Sequence, residues 1–297
     1  IIMHISFKTY TKIFLGGEPV KIKIVADSSC DLSEDLEKKL NIEIVPLTLR
    51  LGDKEFIDDE NLDVQQYVRE MNKCKTPPKT SAPSPHEFLK QYEGPESIFA
   101  VTLSSKLSGS YNSAVLAKDI FLREINKKFI HVFDSISASV GETLIALKIH
   151  ELAEKNLHEE AIVDKVNTYI KEMKTLFLLE SLDHLAKGGR LNPFIAKIAS
   201  VLSIKPIMGD DGEGNIRLIK KVRGYKNAFK RFVDIIGKEG SKIEEKVLGI
   251  AHCNCLDRAL KLKEEVMKRY NFKDIIIVEM AGLSSTYADD GGLVIAF

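Results

Sequence analysis

Two turns rich in hydroxyl groups each lead directly into a predicted helix. Residues 80–85 read TSAPSP, and residues 104–113 read SSKLSGSYNS. The start of a helix presents unpaired backbone N–H groups and partial positive charge, so Ser and Thr hydroxyls placed there can hold a small anion. A single turn of this kind is an ordinary helix cap, but two in one chain indicate a site for an anionic head group.

The first turn carries its own signals for the start of a helix. Ser84 is the predicted N-cap, Pro85 takes the first helical position, and the Glu87 carboxylate can accept a hydrogen bond from the Ser84 N–H. Because Ser84 serves the helix, Thr80 and Ser81 are left to face outward. They are the first candidate ligand-binding residues.

The second turn follows a predicted buried strand. The apolar run at 98–101 (IFAV) predicts that strand, and residues 111–122 predict the helix after the turn. Ser105, Ser108 and Gly109 therefore lie at the carboxyl end of a strand, where open α/β sheets bind ligands. These three residues are the second set of candidates.

The composition excludes several classes of partner. The chain has 297 residues, and Lys plus Arg equal Asp plus Glu at 43 each, so its zero net charge gives no electrostatic reason to bind nucleic acid or an anionic membrane. No segment approaches the ~20 apolar residues needed to span a bilayer, so stable membrane insertion is not predicted. The four cysteines lack the spacing of a disulfide framework, which predicts a cytoplasmic protein.

Motifs for cofactor, metal or nucleophile chemistry are missing from the sequence. It contains no P-loop, dinucleotide-binding glycine pattern, nucleophile elbow or zincin motif. The HCNC run at 252–255 lacks a second pair of metal ligands, and 209–215 (GDDGEGN) predict a tight reversal rather than a calcium loop. We therefore predict no metal, no cofactor and no catalytic residue. The seven histidines are scattered, so a Ser-based triad assembled in space stays open as an alternative.

Alternating strands and helices must position the two turns. Strands are predicted at 22–26, 42–51, 98–103 and 129–133, with helices at 31–40, 64–72, 85–92, 111–122 and 140–155. This alternation predicts an α/β fold with a mainly parallel, doubly wound sheet. Ser and Asp residues follow three of the strands, at 27–29, 104–105 and 134–135, and we expect these loops to converge on one crevice.

The pattern changes after about residue 172. Shorter strands at 175–179, 205–208, 216–221, 247–252 and 275–279 are mixed with helices at 193–202, 225–237 and 256–270. We therefore predict an N-terminal extension (1–20), an N-terminal α/β domain (21–172) and a C-terminal α+β domain (173–297). Helix 193–202 has more apolar positions than one packing face needs, so part of it could line a ligand tunnel, while most of its residues are expected in the core.

The order of several short motifs resembles the DegV family. DSSCDL at 27–32, TSAPS at 80–84 and SSKLSGSY at 104–111 carry the resemblance, together with DS at 134–135, KGGR at 187–190, IKPI at 204–207 and RGYKNA at 223–228. The match covers residues 21–297. It implies the two-domain DegV-like (EDD) fold of bacterial fatty-acid-binding proteins, several of which are the acyl-carrying subunit of fatty acid kinase.

The resemblance also implies roles for individual residues. The fatty acid carboxylate would be held by Thr80 and Ser108, with Ser105 as the alternative to Ser108. Arg190 and Arg223 match family arginines around the head group, where a kinase or a phosphoryl group would be met. Tyr287 falls where the family has a histidine, and a phenol can donate to a carboxylate but cannot become cationic.

The sequence leaves three classes of function to compare. The first is a non-enzymatic carrier that buries a long-chain fatty acid and presents its carboxylate to a fatty acid kinase. The alternatives are an acyl-ester hydrolase and a binding protein for another small anion, such as a phosphorylated metabolite. Burial of a long acyl tail contributes ~0.8 kcal/mol per methylene, against about 1.5–3 kcal/mol for each hydrogen bond to the carboxylate. In the carrier, the tail therefore sets affinity and the hydroxyls set orientation.

Overall fold

The structure is a computed structural model that describes residues 21–125, 127–199 and 204–297. The predicted extension at 1–20 and residues 200–202 of the predicted helix 193–202 lie outside the described residues. Within the described residues the strands are β1 (Ile22–Asp27), β2 (Ile42–Val45), β3 (Thr48–Leu51), β4 (Lys54–Ile57), β5 (Lys79–Ser81), β6 (Ser97–Thr102), β7 (Ile130–Asp134), β8 (Thr175–Leu178), β9 (Ile204–Asp210), β10 (Ile216–Arg223), β11 (Val247–His252), β12 (Asp274–Glu279) and β13 (Leu293–Ala296).

Helices connect most of these strands. They are α1 (Glu34–Leu40), α2 (Val64–Lys73), α3 (Pro85–Gln91), α4 (Ser110–Glu124), α5 (Val140–Glu154), α6 (Glu159–Glu172), α7 (Asp183–Lys187), α8 (Pro193–Ala199), α9 (Tyr225–Glu239), α10 (Leu256–Met267) and α11 (Gly282–Ala288). At the start of α3, the Ser84 N–H donates to the Glu87 carboxylate, as the sequence predicts. Among the described helices, none is long and apolar enough to cross a membrane.

A four-stranded parallel sheet confirms the α/β prediction. Its order is β2-β1-β6-β7. Successive side chains point to opposite faces of a strand, and both faces of this sheet are buried. In β1, Ile24 and Ala26 join one hydrophobic core and Val25 joins another. The near-continuous apolar runs of its strands follow from this burial on both sides.

A six-stranded mixed sheet forms the second half of the chain. Its order is β10-β9-β8-β13-β11-β12, and β11 and β12 are its parallel pair. Helices α9 and α10 pack on one face. Helix α5 packs against β11 and β13 as well as against β1 and β6, so it lies between the two large sheets. The predicted boundary at 172/173 falls between α6 and β8 and stays a prediction.

A small antiparallel sheet differs from the sequence prediction. Residues 42–51 were predicted as one strand, but Pro46 and Leu47 separate β2 from β3, and the two strands join different sheets. Residues 80 and 81 were predicted in a turn, whereas they form part of β5, which pairs with β3 and places Thr80 opposite Leu49. Strand pairing with a distant segment overrides the local turn signal here. It also fixes the direction of the Thr80 side chain.

Candidate functional site

A largely apolar cavity lies between the two large sheets. The space within its lining is about 890 Å³, a figure that includes the open solvent at its mouth. The predicted crevice contributes one wall, because the loops after β1, β6 and β7 line the cavity. Strands β8 and β13 and helix α11 contribute the opposite wall. The apolar lining residues are Leu47, Leu103, Leu107, Ile136, Ala138, Phe177, Leu179, Leu185, Ile216, Leu283, Ala288 and Val294.

Two hydroxyl groups from distant parts of the chain meet in the cavity wall. Thr80 Oγ1, on β5, lies 2.8 Å from Tyr287 Oη, on α11. Both residues are half-buried and both line the cavity. One of the two O–H groups donates to the other oxygen, which leaves the second O–H group to donate to a ligand.

The second hydroxyl-rich turn is closed around Ser104. This buried residue accepts backbone hydrogen bonds from Leu107 N–H and Ser108 N–H, at 2.9 and 3.0 Å. Its hydroxyl donates to Gly214 O at 2.8 Å, which joins the turn to the β9–β10 hairpin. Ser108, which lines the cavity, accepts a hydrogen bond from Ser110 N–H at 3.2 Å. The turn is thereby fixed with the Ser108 side chain at the cavity.

Arg190 brings positive charge to the same wall. Its Nε donates to Leu107 O at 3.2 Å and its Nη1 to Gly188 O at 2.5 Å. The guanidinium lies 5.7 Å from the centroid of the Tyr287 ring, in cation–π geometry. Thr80, Ser108, Arg190 and Tyr287 therefore form a polar group that we call the head cluster. It combines hydroxyl donors with one cation, which suits a carboxylate.

Comparison with known proteins shows the family to which the chain belongs. The model of a family described as uncharacterised proteins of the DegV family matches residues 21–297. The chain belongs to the DegV family. A DegV domain-containing protein of Streptococcus gordonii is 35% identical over 277 residues, which cover 93% of this chain and 98% of the relative.

Solved DegV structures share the fold along nearly their whole length. A DegV family protein of Ruminococcus gnavus, refined with vaccenic acid, has a TM-score of 0.89 and 38% identity and covers 93% of this chain and 99% of its own. The Fatty Acid Kinase B3 protein of Streptococcus pneumoniae, loaded with linoleic acid, has a TM-score of 0.86 and 33% identity and covers 94% and 99%. The predicted DegV-like α/β fold is thus confirmed.

The other predicted site residues of this DegV chain are absent from the cavity lining as far as the structure describes it. Ser81 is exposed on β5. The Ser105 N–H donates to the Asp134 carboxylate, and Gly109 is the N-cap of α4. Arg223 is exposed at the end of β10. The structure therefore brings Arg190, but not Arg223, to the cavity.

Two buried aspartates, which the sequence analysis missed, hold helix α11 of this DegV chain in place. The Asp58 carboxylate accepts hydrogen bonds from Gly282 N–H and Leu283 N–H at 2.8 and 2.9 Å. Asp31 accepts one from Ala281 N–H at 2.8 Å. Burial raises the pKa of Asp31 to about 7 and that of Asp58 to about 6. Both residues lie in loops, and only the three-dimensional packing shows that they anchor the helix that carries Tyr287.

The described part of the chain contains no cluster of three or more His, Cys, Asp or Glu side chains placed to hold a metal ion. Cys253 and Cys255, from the HCNC run, are free thiols. Burial raises the pKa of the Cys253 thiol to about 12 and that of the Cys255 thiol to about 11. Neither thiol is therefore poised for reaction as a thiolate.

Proposed function

We propose that this chain binds a long-chain fatty acid, with its carboxylate at the head cluster and its tail in the cavity. The observation that carries the proposal is the combination of a largely apolar cavity with the hydroxyls and the guanidinium of the head cluster in its lining. Ser108 donates a hydrogen bond to the carboxylate, and so does the one O–H group that the Thr80–Tyr287 hydrogen bond leaves free. Arg190 supplies the balancing charge, and charge-assisted bonds of this kind contribute about 1.5–3 kcal/mol each.

The tail follows strand β8. Thr175, Phe177 and Leu179 alternate along this segment and all line the cavity, whereas Leu176 and Leu178 face the core on the other side of the sheet. At a rise of ~3.3 Å per residue, the lined segment is roughly 13 Å long. A hydrocarbon chain along it is shielded from water, at ~0.8 kcal/mol for each buried methylene.

The protein acts as a carrier, and its partner is a cytoplasmic fatty acid kinase that uses ATP. The similarity to the Fatty Acid Kinase B3 protein supports this role. Arg223 is exposed at the end of β10, where it can meet a partner without touching the ligand. The chain itself needs no cofactor, because the phosphoryl donor belongs to the kinase.

The contacts of the head cluster argue against an acyl-ester hydrolase. A serine or threonine nucleophile needs a base within hydrogen-bond reach. Among the described residues, the side-chain oxygen of Ser108 contacts only Ser110, and that of Thr80 contacts only the Tyr287 phenol. His184 is engaged elsewhere, with its Nδ1 3.0 Å from Thr286 O.

The lining also argues against a phosphorylated metabolite as ligand. Arg190 is the only Lys or Arg among the lining residues that the structure describes, and the rest of the wall is mainly apolar. A doubly charged phosphate would lose its hydration for a single cation, whereas a fatty acid places one charge there and buries its tail.

The proposal is tested by denaturing the purified protein and identifying any extracted lipid by mass spectrometry. We expect one long-chain fatty acid per protein chain. The delipidated protein should then bind added fatty acid and show no turnover of a generic acyl ester. Extraction of no lipid, together with no binding of added fatty acid, would contradict the proposal.

A further inference from the structure

The cavity has a second polar region, away from the head cluster. Ser137 Oγ and Thr175 Oγ1 both line the cavity and lie 2.7 Å apart. Asp210 and Asn215 line the cavity as well, and the Asp210 carboxylate accepts a hydrogen bond from Thr175 N–H. We call Ser137, Thr175, Asp210 and Asn215 the distal cluster. A plain hydrocarbon tail cannot form hydrogen bonds with these side chains.

The strand register places the distal cluster at the opposite end of β8 from Tyr287. Thr175 pairs with Ala296 at the end of β13, whereas Leu178 pairs with Leu293 at its start. Helix α11, which carries Tyr287, precedes Leu293 in the chain. A ligand that runs from the head cluster along β8 therefore reaches Thr175 with the remote part of its chain.

The two distal hydroxyls have hydrogen-bonding capacity to spare. Each hydroxyl has one donor and two acceptor positions. If Thr175 donates to Ser137, the Ser137 hydroxyl has only a long contact to Ala138 O, at 3.5 Å. If Ser137 donates to Thr175, the Thr175 hydroxyl is free to donate. In both arrangements one O–H group of the pair can donate to a ligand oxygen, and unused acceptor positions remain for a ligand O–H group.

We propose that this cavity takes fatty acids with a hydroxyl group in the half of the chain remote from the carboxylate, bound by Ser137 and Thr175. The inference rests on the proposed fatty-acid binding and adds the chemical class of the chain. A ligand hydroxyl both donates and accepts, so it completes the hydrogen bonds of the pair. A methylene at the same place leaves them incomplete at a cost.

The negative charge of Asp210 determines which oxygen-containing groups of a ligand the distal cluster can bind. Its two carboxylate oxygens accept hydrogen bonds from Thr175 N–H and Gly212 N–H, at 2.6 and 3.0 Å. A second carboxylate on the ligand would meet this negative charge and be repelled. The distal cluster therefore favours a neutral hydroxyl over the far carboxylate of a dicarboxylic acid.

The inference is tested with the delipidated full chain and five ligands measured by titration calorimetry. These are hexadecanoic acid, its α-hydroxy and ω-hydroxy derivatives, hexadecanedioic acid, and an octadecanoic acid whose hydroxyl group lies in the half of the chain remote from the carboxylate. We expect at least one ligand with a distal hydroxyl to bind at least as tightly as the plain acid. The α-hydroxy acid should gain nothing, and the dicarboxylic acid should bind roughly tenfold more weakly.

Substitutions assign the effect to the hydroxyl pair. Thr175→Val combined with Ser137→Ala should reduce the ratio of hydroxy-acid to plain-acid affinity roughly tenfold, the equivalent of one buried hydrogen bond. Thr175→Ser keeps the oxygen and should keep the ratio. Thr102→Val is the matched control, because Thr102 is also buried but its hydroxyl bonds Phe133 O outside the cavity.

The outcomes separate this inference from the proposed function. Two results would overturn the inference and leave fatty-acid binding intact. One is tight binding of plain acids with rejection of every distal hydroxy acid. The other is an unchanged ratio of hydroxy-acid to plain-acid affinity in the double variant. Failure to bind any fatty acid contradicts the proposed function itself. Thermal unfolding of each variant shows whether a lost affinity reflects a lost fold.

Discussion

The hydroxyl of Thr80 and the phenol of Tyr287 lie 2.8 Å apart although 207 positions separate them in the sequence. Separate interactions position the two residues. The pairing of β5 with β3 directs the Thr80 side chain, and Asp31 and Asp58 anchor the start of the helix that carries Tyr287. The contact between the two hydroxyls therefore depends on the placement of both β5 and α11.

Tyr287→Phe should weaken fatty acid binding by about 1–3 kcal/mol, because it removes the phenol from the hydrogen-bonded Thr80–Tyr287 pair that serves the carboxylate. Titration calorimetry checks this. Tyr270→Phe is the control, since the Tyr270 hydroxyl donates to Val233 O far from the cavity. If the Tyr287 variant binds fatty acid as tightly as the parent, Tyr287 does not belong to the head cluster.

Thr80→Ala combined with Ser108→Ala should lower the amount of fatty acid that copurifies, without loss of the fold. Both residues are half-buried and each hydroxyl makes a hydrogen bond within the protein, so stability should fall by about 0.5–1.5 kcal/mol per site. Ser81→Ala combined with Ser105→Ala is the matched control, because these serines lie beside the lining residues. Mass spectrometry of the extracted lipid measures occupancy. If the control pair empties the cavity and the test pair does not, the two sets of serines and threonines have been assigned the wrong way round.

Arg190→Ala and Arg223→Ala should have different effects. The sequence grouped both arginines as contacts for a partner or a phosphoryl group, but the structure places the Arg190 guanidinium against Tyr287 in the cavity wall. We expect Arg190→Ala to weaken fatty acid binding roughly tenfold or more, since the carboxylate loses its cation. Direct titration with fatty acid checks this.

Arg223→Ala should leave fatty acid binding unchanged and reduce acyl phosphate formation with a fatty acid kinase. Its side chain is exposed at the end of β10, where a partner protein but not the buried ligand can reach it. The loaded protein and kinase are assayed with ATP at several carrier concentrations. A defect that disappears at high carrier concentration indicates weakened docking, and an unaltered rate at all concentrations would rule out Arg223 as a partner contact.

The sequence predicted the parallel sheet and the convergence of its loops because those features depend on local pattern. Apolar runs such as 98–101 and the polar residues that follow them mark both the strand and the ligand edge. The predictions failed where pairing partners are distant. Strand β5 has three residues, and its pairing with β3 has no local signal strong enough to separate it from a turn.

In the candidate site, too, local sequence patterns predicted some residues, and the residues that depend on distant contacts were missed. Hydroxyl-rich turns predicted Thr80 and Ser108, and both line the cavity. The distal pair could not be predicted, because Ser137 and Thr175 come from different loops and strands and meet only through the packing of the two sheets. The anchoring role of Asp58 is equally hidden, since its partners Gly282 and Leu283 are more than two hundred residues away.

Glu142 is a buried carboxyl group beneath this site. It lies in α5 between the two sheets, fully buried, and neither of its oxygens has a hydrogen-bond partner among the described residues. Loss of solvent, together with the nearby negative charge of Asp27, raises the pKa of Glu142 well above its ordinary value of 4.5. Burial also raises the pKa of Asp27. The native protein therefore keeps a proton on Glu142 that the unfolded chain releases.

Glu142→Gln should make the protein relatively more stable as the pH rises. Between the unfolded pKa, near 4.5, and the raised native pKa, the native state binds more protons than the unfolded state. The free energy of unfolding of the parent therefore falls by up to ~1.4 kcal/mol per pH unit on account of this group. Glutamine has nearly the same shape and no charge, so this loss is absent in the variant. Urea unfolding of both proteins from about pH 5 to about pH 8 measures the difference, with the exposed Glu244→Gln as control. A stability difference that stays constant across this range would show that Glu142 holds no extra proton in the native state.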